Sequence, residues 1–212
     1  LWFRGLDTGP LALCQMLYPA IGVMVAKIMT EEANEIPKSF YTVFLCSSTI
    51  IVFVSIIQII LGKGSQGITS IIITFTFFIL GMVLLGENKE VAIKNGIRGG
   101  ILKKSIYVVV LFICLYFCRF ILAMGIIDGN IGGEIKEIMN VHVLGELVII
   151  IPLFFISFIP FLGEEYGWRY YLQPAMQKKF GTIKGVISLG FVWGIWHLPV
   201  IYFYYSSLHQ GI

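Results

Sequence analysis

Two adjacent carboxylates and an arginine, Glu164, Glu165 and Arg169, stand in the stretch "GEEYGWRYYLQP" directly after the charge-free run "LVIIIPLFFISFIPFL". On a helix, residues four apart share a face while neighbours diverge by about 100°. Glu165 is therefore expected to pair with Arg169 as a neutralised, structural anion, with Glu164 facing elsewhere and left unpaired in a low-dielectric setting. A carboxylate so placed suits general acid–base work: it takes a proton from water and later hands it to a leaving amine.

A second stretch, "FVWGIWHLP", puts Trp193 and His197 one turn apart on one helix face, with Pro199 beyond them. A histidine inside an apolar helix needs a partner. Counted at about 1.5 Å per residue from the lysine anchors Lys178 and Lys184, Glu164 and His197 each sit up to roughly 20 Å deep. Their depths match, so the two are expected to face each other across a cavity. Pro174 and Gly181 bend the connection between them into an interfacial helix, which makes the site shallower than that bound. Pro152, Pro160 and Gly163 weaken the helix entering the glutamates, as befits backbone that lines a watered cavity. The alternative is plain: Glu–Glu…Arg at a helix end also serves as an interfacial ion-pair cluster.

Positioning these groups falls to apolar helices. The chain has 212 residues, 58% hydrophobic and 13% charged, and its mean hydropathy is +0.89. Those values exclude an ordinary soluble domain and predict an all-α, polytopic transmembrane helical bundle. Six runs of membrane-crossing length are expected near 10–27, 40–61, 68–85, 105–127, 144–162 and 185–205. They form one membrane-embedded domain over 1–212, with the chemistry-bearing region at 140–205. The breaks between them, such as "TEEANEIPK" and "QKKFGTIKG", carry the usual punctuation. The chain opens on Leu1 and stops at Ile212 just after an apolar segment, and reads as a piece of a longer protein.

Charge sets orientation. Lys89, Lys94, Arg98, Lys103 and Lys104 fill the third loop and Lys178, Lys179 and Lys184 the fifth, against only Lys63 and Lys136 in the second and fourth. The first, third and fifth loops are thus expected on the cytoplasmic side, with the site open towards it. The net charge of +3 is scattered, with no basic stripe for a nucleic acid. Cys14, Cys46, Cys114 and Cys118 lie in apolar runs and read as small buried hydrophobes. Cys114 and Cys118 share a face, but without further Cys or His they suit helix packing better than a metal. Arg119, deep in a span, is expected to snorkel or to pair with a carboxylate such as Glu146 or Glu164. Neither His142 nor His209 gains a role from its position.

At these residues the sequence resembles the CAAX protease and bacteriocin-processing (CPBP, or Abi) family of intramembrane endopeptidases, which includes the type II CAAX prenyl endopeptidases. The family's EExxxR motif appears as Glu164, Glu165 and Arg169, and its [FW]xxxH motif as Trp193 and His197. The resemblance implies a multi-pass protein of the bacterial cell membrane, bathed in lipid, that cuts a peptide or membrane-associated protein. It implies that Glu164 activates the attacking water, that His197 binds or polarises it or stabilises the oxyanion, and that Glu165 and Arg169 hold the site in shape. It implies either a metalloprotease, with Glu164 and His197 as zinc ligands, or a glutamate-activated water without metal. A catalytic zinc ordinarily has three protein ligands, and only these two offer themselves. The family's third motif, a later His followed by Asn or Asp, is not found: His209 is followed only by Gln210, Gly211 and Ile212.

Two other classes fit the same residues. A bacteriocin-immunity or peptide-binding membrane protein would use the cavity for capture without cutting. A small transporter or proton relay would use intramembrane Glu and His as a pathway, although no inverted repeat accompanies them.

Overall fold

Prolines, glycines and a few polar caps decide where the apolar helices begin and end. The computed structural model describes residues 9–61, 67–99, 102–127 and 158–202, and every regular element among them is helical. The all-α class is as expected. Helix α1 (Gly9–Gln15) and α2 (Tyr18–Thr30) meet at Met16–Leu17, because Pro19 in the first turn of α2 has no N–H to give the preceding turn. Leu17 N–H still bonds Cys14 O, and Ile21 N–H bonds Leu17 O, so the junction keeps its backbone satisfied. Helix α3 (Lys38–Ile60) starts after Pro37. Glu87 Oε1 accepts the Phe40 N–H at 2.9 Å there, placing a carboxylate on first-turn donors that have no partner within the helix.

Helix α4 (Gly67–Gly86) returns along α3, pinned at the other end by a 2.7 Å hydrogen bond from Thr69 Oγ1 to the buried Gln58 Oε1. Asn88 then caps the short α5 (Lys89–Lys94), its Oδ1 accepting from the Glu90 and Val91 N–H groups. After α6 (Leu102–Ile127) the described chain resumes with α7 (Phe158–Glu165), a π-helical segment (Tyr166–Leu172), α8 (Gln173–Phe180) and α9 (Thr182–Val200).

Among the described residues, four helical stretches are long and apolar enough to cross a membrane: Gly9–Thr30, Lys38–Ile60, Gly67–Gly86 and Thr182–Val200. They correspond to the expected runs 10–27, 40–61, 68–85 and 185–205. The run 105–127 falls within α6, which includes the apolar stretch Ile106–Leu115. The run 144–162 lies mostly outside the described residues, as do His142, Glu146 and His209.

The chain divides into two units. Arg98–Phe155 contributes α6, which carries Arg119. Leu1–Ile97 with Ile156–Ile212 contains all the other described elements, around a core of Leu17, Met24, Tyr41, Phe44, Ile51 and Ile159. In this unit α7 and the π-helical segment press on the α1–α2 junction through two glycines four residues apart. A Cβ on Gly163 would stand 2.7 Å from Met16 O, and one on Gly167 would overlap Pro19. This small-xxx-small spacing lets two backbones meet, as it does between membrane helices generally.

Gly167→Ala is expected to destabilise the protein by about 1–3 kcal/mol through overpacking. Gly22→Ala, where a Cβ within α2 meets nothing within 4 Å, is expected to be neutral or to stabilise by up to about 1 kcal/mol. Thermal unfolding in detergent compares them, and equal midpoints would refute the close approach.

Candidate active site

Glu164 and Glu165 end α7, and the backbone then widens: Gln173 N–H bonds Trp168 O, five residues back. Pro174 supplies a physical reason. In an α register its missing N–H would leave Tyr170 O without a donor and its ring would crowd that carbonyl, and a wider turn relieves both. The prolines and Gly163 were expected to weaken this helix. The π register itself had no signal in the sequence. Beyond α8, Gly181 adopts φ +84, a left-handed turn that glycine makes without strain, and its N–H bonds Gln177 O at 2.9 Å. Helix α9 then packs back along α8 and carries Trp193 and His197 to the end of α7.

The meeting point is compact. Trp193 Nε1–H donates to Glu164 Oε1 at 3.1 Å, and His197 Nε2 stands 3.3 Å from the same oxygen. Glu164 was expected to be unpaired. It instead meets two groups of α9, the Trp193 indole N–H, which donates to it, and the His197 ring, because the Gly181 turn brings that helix alongside. His197 Nδ1 lies 2.8 Å from Trp193 O. A carbonyl only accepts, so Nδ1 carries a hydrogen, and Nε2 carries one only in the imidazolium. The contact to Glu164 is therefore attractive when the two side chains share one proton. The Glu164 side chain is 13% exposed and that of His197 28%, enough for water to enter. The Trp193 and His197 rings lie 4.2 Å apart, centroid to centroid.

Glu165 turns the other way. Its Oε2 is 3.4 Å from Arg169 Nε, and both side chains are about half exposed. One long contact between exposed ions contributes little stability, so this pair orients rather than holds. Gln15 was not singled out from the sequence: its Nε2 donates to Trp196 O at 2.6 Å and ties α1 to α9 one residue before His197. An amide within an apolar helix was the available signal. Trp168 packs edge-on against Trp196 at 5.6 Å, reinforcing the same contact.

A buried polar knot holds the π-helical segment from its other side. Asn95 is wholly buried. Its Oδ1 accepts from Lys27 Nζ at 3.0 Å and Tyr41 Oη at 3.1 Å, while its Nδ2 donates to Glu35 O and Val91 O. Tyr166 Oη donates to Asn95 O at 3.0 Å and also touches Tyr41 Oη. Burial pushes the Tyr166 hydroxyl well above the ordinary tyrosine range, which keeps it a donor. Tyr170 stacks on Tyr166 and donates to Lys94 O at 2.9 Å. Lys94 in turn bonds Glu35, and its ammonium holds that carboxyl below the usual range.

Residues 146–210, which include both motifs, match the family model "Type II CAAX prenyl endopeptidase Rce1-like". The match covers under a third of the chain. A CAAX prenyl protease 2 from Methanococcus maripaludis is 30% identical over 66 residues, which are 29% of this chain and 24% of that protein. The aligned part thus spans about a quarter of that relative. No solved structure matches the chain. Within the matched segment, Glu164, Glu165, Arg169 and His197 all lie within described helices. Among the described residues no three His, Cys, Asp or Glu side chains are grouped to hold a metal. Glu164 and His197 by themselves do not complete the ligand set of a catalytic zinc.

Asn95→Leu should cost about 2–4 kcal/mol, because it strips partners from Lys27, Tyr41 and two carbonyls at once. Tyr166→Phe, which removes one hydroxyl, should cost about 1 kcal/mol. Denaturant unfolding of both variants checks the order, and a milder effect for Asn95→Leu would contradict the knot.

Proposed function

We propose that this protein is an intramembrane endopeptidase that hydrolyses a peptide bond in a membrane-associated protein or peptide, with Glu164 as the base that activates water. The observation that carries this reading is the meeting of Glu164 and His197, from α7 and α9, at 3.3 Å. The family match over the same residues supports it. Glu164 Oε1 is engaged by α9, and Oε2, which has no partner among the described residues, is the base. As the water oxygen attacks the scissile carbonyl carbon, one water proton passes to Oε2 and the carbonyl π pair becomes the oxyanion. His197 presents Nε2 to the same space, as an acceptor that holds the water when the ring is neutral or as a donor to the oxyanion when it is an imidazolium. The intermediate collapses when Glu164 returns the proton to the leaving amine and the C–N bond breaks. Glu165 and Arg169 keep the segment in register.

The cytoplasmic side is the proposed side of entry. Its support is the basic third and fifth loops, together with the contacts that gather Glu35, Lys94 and Tyr170 at one end of the bundle. A prenylated CAAX peptide is the first probe, since the named relative is a CAAX prenyl protease.

Cleavage of a quenched prenylated CAAX peptide by the purified full-length protein tests the reading. Glu164→Gln should lower kcat on the order of a hundredfold or more, and His197→Ala should also impair cleavage. Retained proteolysis in both variants would sink the assignment. Activity that survives a chelator means that water is activated without an exchangeable metal, and loss under chelation means a metalloprotease. Protection against a bacteriocin-like peptide that persists in Glu164→Gln, with no cleavage products, would favour capture without cutting.

A further inference from the structure

Trp193 touches the Glu164–His197 pair in three ways. Its indole N–H donates to Glu164 Oε1, its carbonyl accepts from His197 Nδ1, and its ring lies against the imidazole. The carbonyl would be supplied by any residue at this position, and the ring contact by any aromatic. Only the N–H is particular to tryptophan. We propose that Trp193 is a positioning residue whose indole N–H divides the labour between the two oxygens of Glu164, fixing Oε1 and leaving Oε2 to take the proton from water.

Oε1 accepts the Trp193 indole N–H and lies 3.3 Å from His197 Nε2, so both of its close contacts come from α9. Oε2 has no partner among the described residues, so its lone pairs remain for a water. The last torsion of a glutamate is broad and nearly two-fold, so nothing intrinsic to the side chain tells its oxygens apart. A single histidine contact leaves the carboxylate able to pivot about it. The indole N–H, 3.1 Å away on the turn before His197, removes that freedom. The proton acceptor then holds one place relative to the scissile bond, and misplacement there costs rate rather than affinity.

This proposal rests on Glu164 being the base, so its test has one arm that reads cleavage and one that does not. In the full-length protein, Trp193→Phe and replacement of Trp193 by 3-benzothienylalanine both keep an aromatic ring and the main-chain carbonyl, and the second also keeps the shape. With the prenylated CAAX peptide, each should lower kcat on the order of tenfold with KM within about twofold and with an unchanged unfolding midpoint. Wild-type kcat in either variant, or a change confined to KM, would overturn the proposal.

The second arm is the indole 15N–1H resonance of Trp193, identified by its loss in Trp193→Phe. It should shift in Glu164→Ala and stay in place in Glu165→Ala. A resonance indifferent to Glu164→Ala overturns the proposal whatever the kinetics show. Should the wild type leave the peptide uncut, the proteolytic reading fails, while this arm still decides whether Trp193 holds Glu164.

Discussion

Asn95 has no spare hydrogen-bonding group. Its amide N–H bonds Val91 O, its carbonyl receives Tyr166, and its side chain is filled by Lys27, Tyr41, Glu35 O and Val91 O. In an apolar bundle an unmet polar group is costly, so a fully met one specifies its neighbours tightly. Through this one residue α2, α3, the turn before α3 and the end of α5 are held to the π-helical segment that carries Arg169. The knot is built from groups that water would otherwise satisfy, which is why it forms only once the helices have come together.

On the opposite side the same segment is held by the absence of side chains. Gly163 and Gly167 press against Met16, Leu17 and Pro19, and they bracket Glu164 and Glu165. With the glycine face committed to the α1–α2 junction, the two glutamates are turned away from it in different directions. One reaches α9 and the other the exposed Arg169. The π register after Glu165 lets Tyr166 and Tyr170 stack towards the knot while the chain enters α8 at Pro174. Extra residues per turn of this kind recur at functional sites, where they re-aim side chains without ending the helix.

The placement of Glu164 therefore depends on two unlike contacts, close backbone packing and a saturated polar knot, meeting on one short stretch of helix. Glu164 is placed from three directions: by the glycines behind it, by Tyr166 two residues on, and by Trp193 and His197 in front. Gln15 adds a tie from α1 to α9 beside the histidine. Groups fixed in this way need little reorganisation at the moment of reaction, and reduced reorganisation is where much catalytic advantage lies.

By itself the sequence determined the helical class, four of the membrane-crossing stretches and the identity of the charged residues, because apolar length and composition act locally. It also carried the pairing of Glu165 with Arg169, since four residues along one helix is a local distance. It anticipated that Glu164 and His197 would face each other, but not the Trp193 N–H on Glu164, the role of Gln15 or the fully used Asn95. Residues 15 and 196, or 95 and 166, meet only after turns at Gly181 and around α5 have set the helices side by side. The "GEEYG" glycines were legible as helix breakers, yet their use as a contact surface depended on which backbone arrived to fill the space. The tertiary structure decided these points because long-range contact in an apolar bundle is settled by mutual satisfaction of polar groups and by close packing, neither of which is a property of one segment alone.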